Sequence, residues 1–200
     1  MLRNSYRAIP RLKISAWLIL VLVVVILAIL PEVKIPTWLL PFFQAFKVPT
    51  DSMAPTVLAG DHVLVDKCYY WFAKPRVGDI VAVQMGAFSP QYPQSVIYLK
   101  RIVGMPGDKI EIFGRTLHRN EGSVNETFAR YSDPDSIHEH YGPFTLPQDH
   151  YFLMGDNRDK SQDSRWWGPV HQSRIVGRLS KIYWPLYRAG LVYESTHQKR

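Results

Sequence analysis

The sequence predicts a mostly β body behind one N-terminal membrane-crossing helix, and three observations carry that prediction. Short apolar or alternating runs recur between turn signals along most of the chain. Fifteen prolines stand against twelve glycines in 200 residues, which suits turns and strand edges better than a helical bundle. Helical periodicity is weak everywhere except in one long apolar run near the start.

That run, Ile14 to Leu30, reads ISAWLILVLVVVILAIL and carries no charge. Its length is at the short end of what crosses a hydrocarbon core. A cleaved export signal has a shorter apolar core and a small-x-small cleavage site, and Ile29-Leu-Pro-Glu32 offers none. Arg3, Arg7, Arg11 and Lys13 all precede the first acid, Glu32. The positive-inside rule therefore predicts a cytoplasmic tail (1–13), a single span (14–31), a membrane-proximal linker (32–47) and an extracytoplasmic domain (48–200). The apolar stretch Trp38–Phe46 is too short to span. It either lies on the bilayer surface or enters the core of the body.

Strands are predicted at His62–Lys67, Ile80–Gln84, Val96–Val103, Lys109–Phe113, Tyr151–Met154 and Ile175–Trp184. Turn signals separate them: Ala59-Gly-Asp61, Arg76-Val-Gly-Asp79 and Met105-Pro-Gly-Asp108. The segment 114–147 is more polar and less periodic, and reads as a small inserted subdomain.

Composition excludes several functions. The net charge is +7, but much of the excess sits in the tail, and no zinc-finger spacing, RNP-like motif or basic helix face points to nucleic acid. Cys68 is the lone cysteine, which excludes an internal disulfide and a multi-cysteine metal site. There is no G-x-S-x-G, H-E-x-x-H or P-loop. His138, Glu139 and His140 resemble a partial metal site without a third ligand. No metal and no cofactor are expected.

Three segments are dense in chemistry. In Val48-Pro-Thr-Asp-Ser-Met-Ala-Pro-Thr56, prolines on both sides are expected to hold the backbone extended around Ser52; on composition alone the segment reads as a proline-rich linker. In Tyr98-Leu-Lys-Arg-Ile-Val-Gly-Met-Pro-Gly-Asp108, Lys100 lies within an apolar strand. If it points inward with Tyr98 and Ile102, desolvation lowers its pKa and makes it a competent base; the commoner alternative is an exposed edge lysine. The Lys100-Arg101 pair puts one basic side chain on each face of the strand. The third segment, Met154-Gly-Asp-Asn-Arg-Asp-Lys-Ser-Gln-Asp-Ser-Arg-Trp-Trp-Gly168, is a polar loop after a strand. Its basic residues argue against calcium.

Taken in order, these segments resemble the motifs of type I signal peptidases, the Ser/Lys proteases of bacterial membranes and related organelles. Ser52-Met53-Ala-Pro-Thr56 resembles the nucleophile motif, Tyr98–Asp108 the lysine motif, and Gly155–Asp159 with Ser161–Arg165 the third. The resemblance runs from the anchor to about Trp184 and implies an antiparallel, barrel-like β body in the bacterial plasma (inner) membrane. It implies that Ser52 attacks the scissile carbonyl and neutral Lys100 takes its proton. The oxyanion would be held by the backbone N–H of Ser52 and the hydroxyl of Thr50, where serine is frequent in the family. Ser161 resembles the hydroxyl that orients the lysine, Asp163 and Arg165 a supporting ion pair, and Arg101 and Asp159 structural residues. Val48, Pro49, Met53, Tyr98 and Leu99 resemble the lining of shallow pockets for small residues at −1 and −3. Asp51 has no implied role. The implied partners are preprotein signal peptides, membrane lipid and the export translocon. Trp166-Trp167 would suit a body resting on the bilayer.

Rival readings are a specialised peptidase maturing a pilin or conjugation protein, a LexA-like self-cleaving regulator, and a non-catalytic membrane-anchored binding module. The apolar span and the missing DNA-binding helices weigh against the regulator. The presence of Ser52, Lys100 and Asp163 weighs against the binding module.

Overall fold

In a computed structural model, the structure describes residues 42–86, 96–133 and 140–192. They lie in the second of two compact units, Pro41–Arg200. The tail, the span at 14–31, most of the 32–47 linker and His138–Glu139 lie outside the described residues. Among the described residues no helix is long and apolar enough to cross a membrane.

Among the described residues twelve strands form two antiparallel sheets. The large sheet contains β1 (Phe43–Lys47), β2 (His62–Asp66), β3 (Ile80–Met85), β4 (Val96–Gly104), β9 (His150–Met154), β10 (Val170–His171), β11 (Ile175–Trp184) and β12 (Gly190–Leu191). Its order is β1-β2-β11-β3-β4-β9-β10, with β12 pairing β11. The small sheet has the order β7-β6-β5-β8, from β5 (Lys109–Phe113), β6 (Thr116–Arg119), β7 (Gly122–Ser123) and β8 (Tyr141–Thr145). It takes in β5, which precedes the polar 114–147 segment.

All six expected strands are present, each within about a residue of its expected ends. The others are mostly two to five residues long, too short to show periodicity. From the ambiguous Trp38–Phe46 stretch, Phe43–Lys47 forms an edge strand on β2, with Phe46 facing the core.

β3 reads Ile-Val-Ala-Val-Gln-Met and is buried on both faces apart from Gln84, as expected of a strand covered on two sides. Ile80 and Ala82 face one cluster with Val48, Met53, Val57 and Leu179. Val81 and Val83 face another with Ile102, Leu153 and Val170. A third cluster, around Val103, Ile110, Leu117, Leu146 and Phe152, joins the two sheets. Gly104 sits there, because a Cβ at that position would press on the side chains of Ile110, Leu146 and Phe152.

Candidate active site

β4 carries the two cations. Lys100 lies opposite Val81 and Arg101 opposite Ile80 on β3. The pleat sends them to opposite faces, yet both are buried, at 1% and 2% exposure, because both faces of this sheet are covered. Each therefore needs a partner or must give up its charge.

Lys100 Nζ approaches Ser52 Oγ to 3.0 Å. Burial is the first cause that lowers its pKa, to about 8; the nearby carboxylates of Asp163 and Asp156 act to raise it and Arg165 to lower it further. Arg101 takes the other solution. Its Nε and Nη2 donate to the two oxygens of Asp156 at 2.8 and 2.6 Å, its Nη1 donates to the Gly78 carbonyl, and the Phe128 ring lies 4.2 Å from its guanidinium carbon. One strand thus holds a buried amine whose pKa is lowered beside a guanidinium paired with a buried carboxylate.

Ser52 stands in the connection between β1 and β2. The backbone there is not extended, as the flanking prolines suggested, but turned: Ala54 N–H donates to the Asp51 carbonyl and Val57 N–H to the Met53 carbonyl. The segment satisfies its own amides locally, and two carboxylates complete it. Asp61 accepts from Leu58 N–H and Asp51 from Ala59 N–H. Asp51, which sequence reasoning left without a role, closes the loop that presents Ser52. The loop leaves Ser52 partly accessible, with Thr50 Oγ1 3.4 Å from Ser52 Oγ.

The loop after β9 grips this connection. Asn157 donates its backbone N–H to the Ser52 carbonyl and its side-chain amide to the Asp51 carbonyl. Thr56 Oγ1 donates to Asp156 Oδ2 at 2.5 Å. Gly155 makes the approach possible, since a Cβ there would collide with the Ser52 carbonyl and the Ser161 hydroxyl. Asp163, with no exposed surface, accepts from Gly155 N–H and from Nε and Nη2 of Arg165. It also caps the one-turn helix Ser164–Trp167. The Arg165 guanidinium reaches on to the Arg158 carbonyl.

The structure thus brings Ser52, Lys100 and Thr50 together and places Asp163 and Arg165 as a bidentate pair behind them. Ser161 is buried beside Gly155, and among the described residues its hydroxyl has no hydrogen-bond partner. Asp159 accepts from Asp133 N–H. Val48, Met53 and Leu99 share one cluster, whereas Tyr98 turns to the opposite face, stacks on Trp167 and lies 5.7 Å from Lys100 Nζ; Pro49 is exposed. Trp166 is 77% exposed, but its neighbour Trp167 packs inward. Sequence reasoning also missed Asp156 as the partner of Arg101, and Glu126, which binds Arg158. Asp156 lies within a motif already singled out. Nothing in the local pattern marks Glu126. Among the described residues no three metal-ligating side chains cluster.

The family model described as "Signal peptidase, peptidase S26" matches residues 14–184. The chain belongs to that family. Similar proteins agree with the assignment as a signal-peptidase-type serine peptidase. "Signal peptidase I" of Leptolyngbya laminosa is 34% identical over 149 residues, covering 74% of this chain and 71% of that protein. "Signal peptidase I P" of Bacillus subtilis subsp. natto is 31% identical over 183 residues, 88% of this chain and 92% of that one. "Thylakoidal processing peptidase 1, chloroplastic" of Arabidopsis thaliana is 37% identical over 143 residues, 69% of this chain and 41% of that protein. The matched range takes in the loops and the strand just described.

Proposed function

We propose that the chain removes N-terminal signal peptides from exported preproteins, with Ser52 as nucleophile and neutral Lys100 as general base. The observation that carries this reading is the 3.0 Å approach of Lys100 Nζ to Ser52 Oγ, made by a lysine whose burial brings its pKa down to about 8. With the amine neutral, the Ser52 hydroxyl donates to its lone pair. The hydroxyl oxygen then attacks the scissile carbonyl carbon, and its proton passes to Nζ. As the C–N bond breaks, the resulting ammonium returns that proton to the leaving amine. Water repeats the sequence to release the acyl group, again giving its proton to Nζ. The backbone N–H of Ser52 and the Thr50 hydroxyl would receive the oxyanion. Each such donor is typically worth about 2.7–4 kcal/mol of barrier. Asp163 and Arg165 hold the loop and temper the charge around Lys100.

Substrate geometry fits an extended peptide. Residues Val96 to Lys100 pair with β3 on one edge, while β9 pairs only with Arg101, Ile102 and Gly104 on the other. The open edge beside Lys100 suits β-addition of a strand-like cleavage segment. Val48, Met53 and Leu99 supply the apolar contact that small residues at −1 and −3 would meet. A single N-terminal span in the plasma membrane, with the body outside, would bring this edge to chains emerging from export. The exposed Trp71, Phe72, Trp166, Trp184 and Tyr187 offer contact with lipid.

The test is cleavage of a preprotein by the detergent-solubilised full chain. Ser52→Ala and Lys100→Ala are expected to lose at least about a thousandfold in rate; normal cleavage by either ends the proposal. The pH dependence has a definite sign. Below about pH 8 Lys100 is mostly protonated and has no lone pair to accept with, so the rate falls about tenfold for each further pH unit. A rate that stays level from pH 8 to pH 5 contradicts a lysine base.

A further inference from the structure

Between β7 and β8 the stretch Glu126–Arg130 leaves the small sheet and runs beside the loop that grips Ser52. Arg130 N–H donates to the Asp156 carbonyl and Arg158 N–H donates to the Arg130 carbonyl, forming a parallel bridge between Arg130 and Asn157. Ser132 Oγ donates to Asn157 Oδ1. Glu126 binds Arg158 with both oxygens, at 2.6 and 2.7 Å, and the two side chains are 5% and 1% exposed. We propose that Glu126 is a positioning residue of the peptidase: through Arg158 it fixes the Gly155–Asp163 loop against the nucleophile and the base. This inference rests on the Ser52/Lys100 reading.

Arg158 makes two further attachments. Its Nε donates to the Gly155 carbonyl, and its own carbonyl accepts from Arg165 Nη2. Burial acts to lower the Arg158 pKa, and the bond and charge of Glu126 outweigh it, so the net displacement is upward. Without Glu126 the guanidinium would keep the Gly155 carbonyl and the Tyr131 side chain but no paired carboxylate in the interior, and it would be drawn toward water. That movement drags on the Gly155 carbonyl and on the anchor of Arg165. Gly155 and Arg165 are the two donors to Asp163. The charged groups acting on Lys100 are Asp163, Arg165 and Asp156, with the Tyr98 ring alongside. A loosened loop admits water to Lys100 and moves its pKa back toward that of an ordinary lysine.

The experiment is steady-state cleavage by the full chain in detergent across pH, with folded fraction measured in parallel. Glu126→Gln is expected to lower kcat about tenfold to a hundredfold, as small misplacements of reacting groups do. KM should stay within about twofold, and the acid limb of the profile should move to higher pH. Glu126→Asp, which keeps the charge, should recover part of kcat. A Glu126→Gln protein with parental kcat and an unmoved limb overturns the proposal. So does a loss that matches the unfolded fraction with the limb in place, since that describes a structural brace only. If Glu126→Gln does not fold, Arg158→Lys carries the same test; it keeps the pair neutral while losing the two-pronged grip and the Gly155 bond. Ser52→Ala in the same assay separates the failures. Activity there removes the underlying reading, whereas an inactive Ser52→Ala beside a fully active Glu126→Gln removes only this inference.

Discussion

Lys100→Met will yield a protein that no longer cleaves its substrate and that melts higher than the parent. The lost activity follows from the lost base. The gained stability follows from its burial. Lys100 titrates at about 8 in the folded chain against an ordinary 10.5. Between those values the unfolded chain holds a proton that the folded one has released, so wild-type stability rises with pH across that window. Below about pH 8 the folded state must bury the ammonium, and the full penalty applies, about 3 kcal/mol for a displacement of this size. Methionine fills a similar volume without it. Subtracting about 1 kcal/mol for the lost hydrogen bond to Ser52 leaves a net gain of about 2 kcal/mol at pH 7. For a body of this size that is roughly 4–8 °C in Tm. The gain should shrink as pH rises from 8 toward 10.5. Thermal melts at pH 7 and pH 10 check both the sign and the trend; a variant that melts below wild type at pH 7 refutes the account of Lys100 as a desolvated base.

Asp156→Ala is expected to cost about 3–5 kcal/mol, because it strands the Arg101 guanidinium in the interior. Arg101 keeps only the Gly78 carbonyl and the face of Phe128, and Thr56 loses its acceptor. Cleavage should fall as well, since Thr56 and Asn157 both tie the nucleophile loop to this motif. The double change Arg101→Met with Asp156→Leu removes both charges and should recover most of the stability, as apolar replacements of buried pairs commonly do. Denaturant unfolding of the single and double variants decides it. A loss under about 1 kcal/mol for Asp156→Ala would mean that Arg101 reaches solvent.

The parts legible in the sequence were those whose physics is local. Alternation and turn signals located the six longer strands, because a half-buried strand must write its burial into every second residue. The burial of Lys100 was only half readable: Tyr98 and Ile102 share its face, but the same run also fits an exposed edge lysine, and it is the covering of both sheet faces that buries it. The Arg101–Asp156 pair, 55 positions apart, was not readable, because nothing in either neighbourhood specifies the partner. Asp51 looked idle because its acceptor role depends on a loop that closes eight residues later. The flanking prolines suggested extension around Ser52, and tertiary hydrogen bonds to Asn157 prevailed with a turn. Glu126 lies in the least periodic stretch of the chain, where only the fold reveals that the segment leaves its own sheet.

The placement of two buried cations on successive residues of β4 makes strand register a condition of chemistry. If β4 slipped by one residue, Arg101 would take the place of Lys100 before the Ser52 hydroxyl, and Ile102 would take that of Arg101 before Asp156. Such a chain would have the same charges, and it would be inert, because a guanidinium does not surrender its proton in this pH range. The irregularity between Ile102 and Gly104 in the β4–β9 pairing and the close fit at Gly104 lie just beyond the pair and act as a stop against that slip. Proofreading of a single strand's alignment therefore decides whether this fold is an enzyme or an inactive isomorph of one.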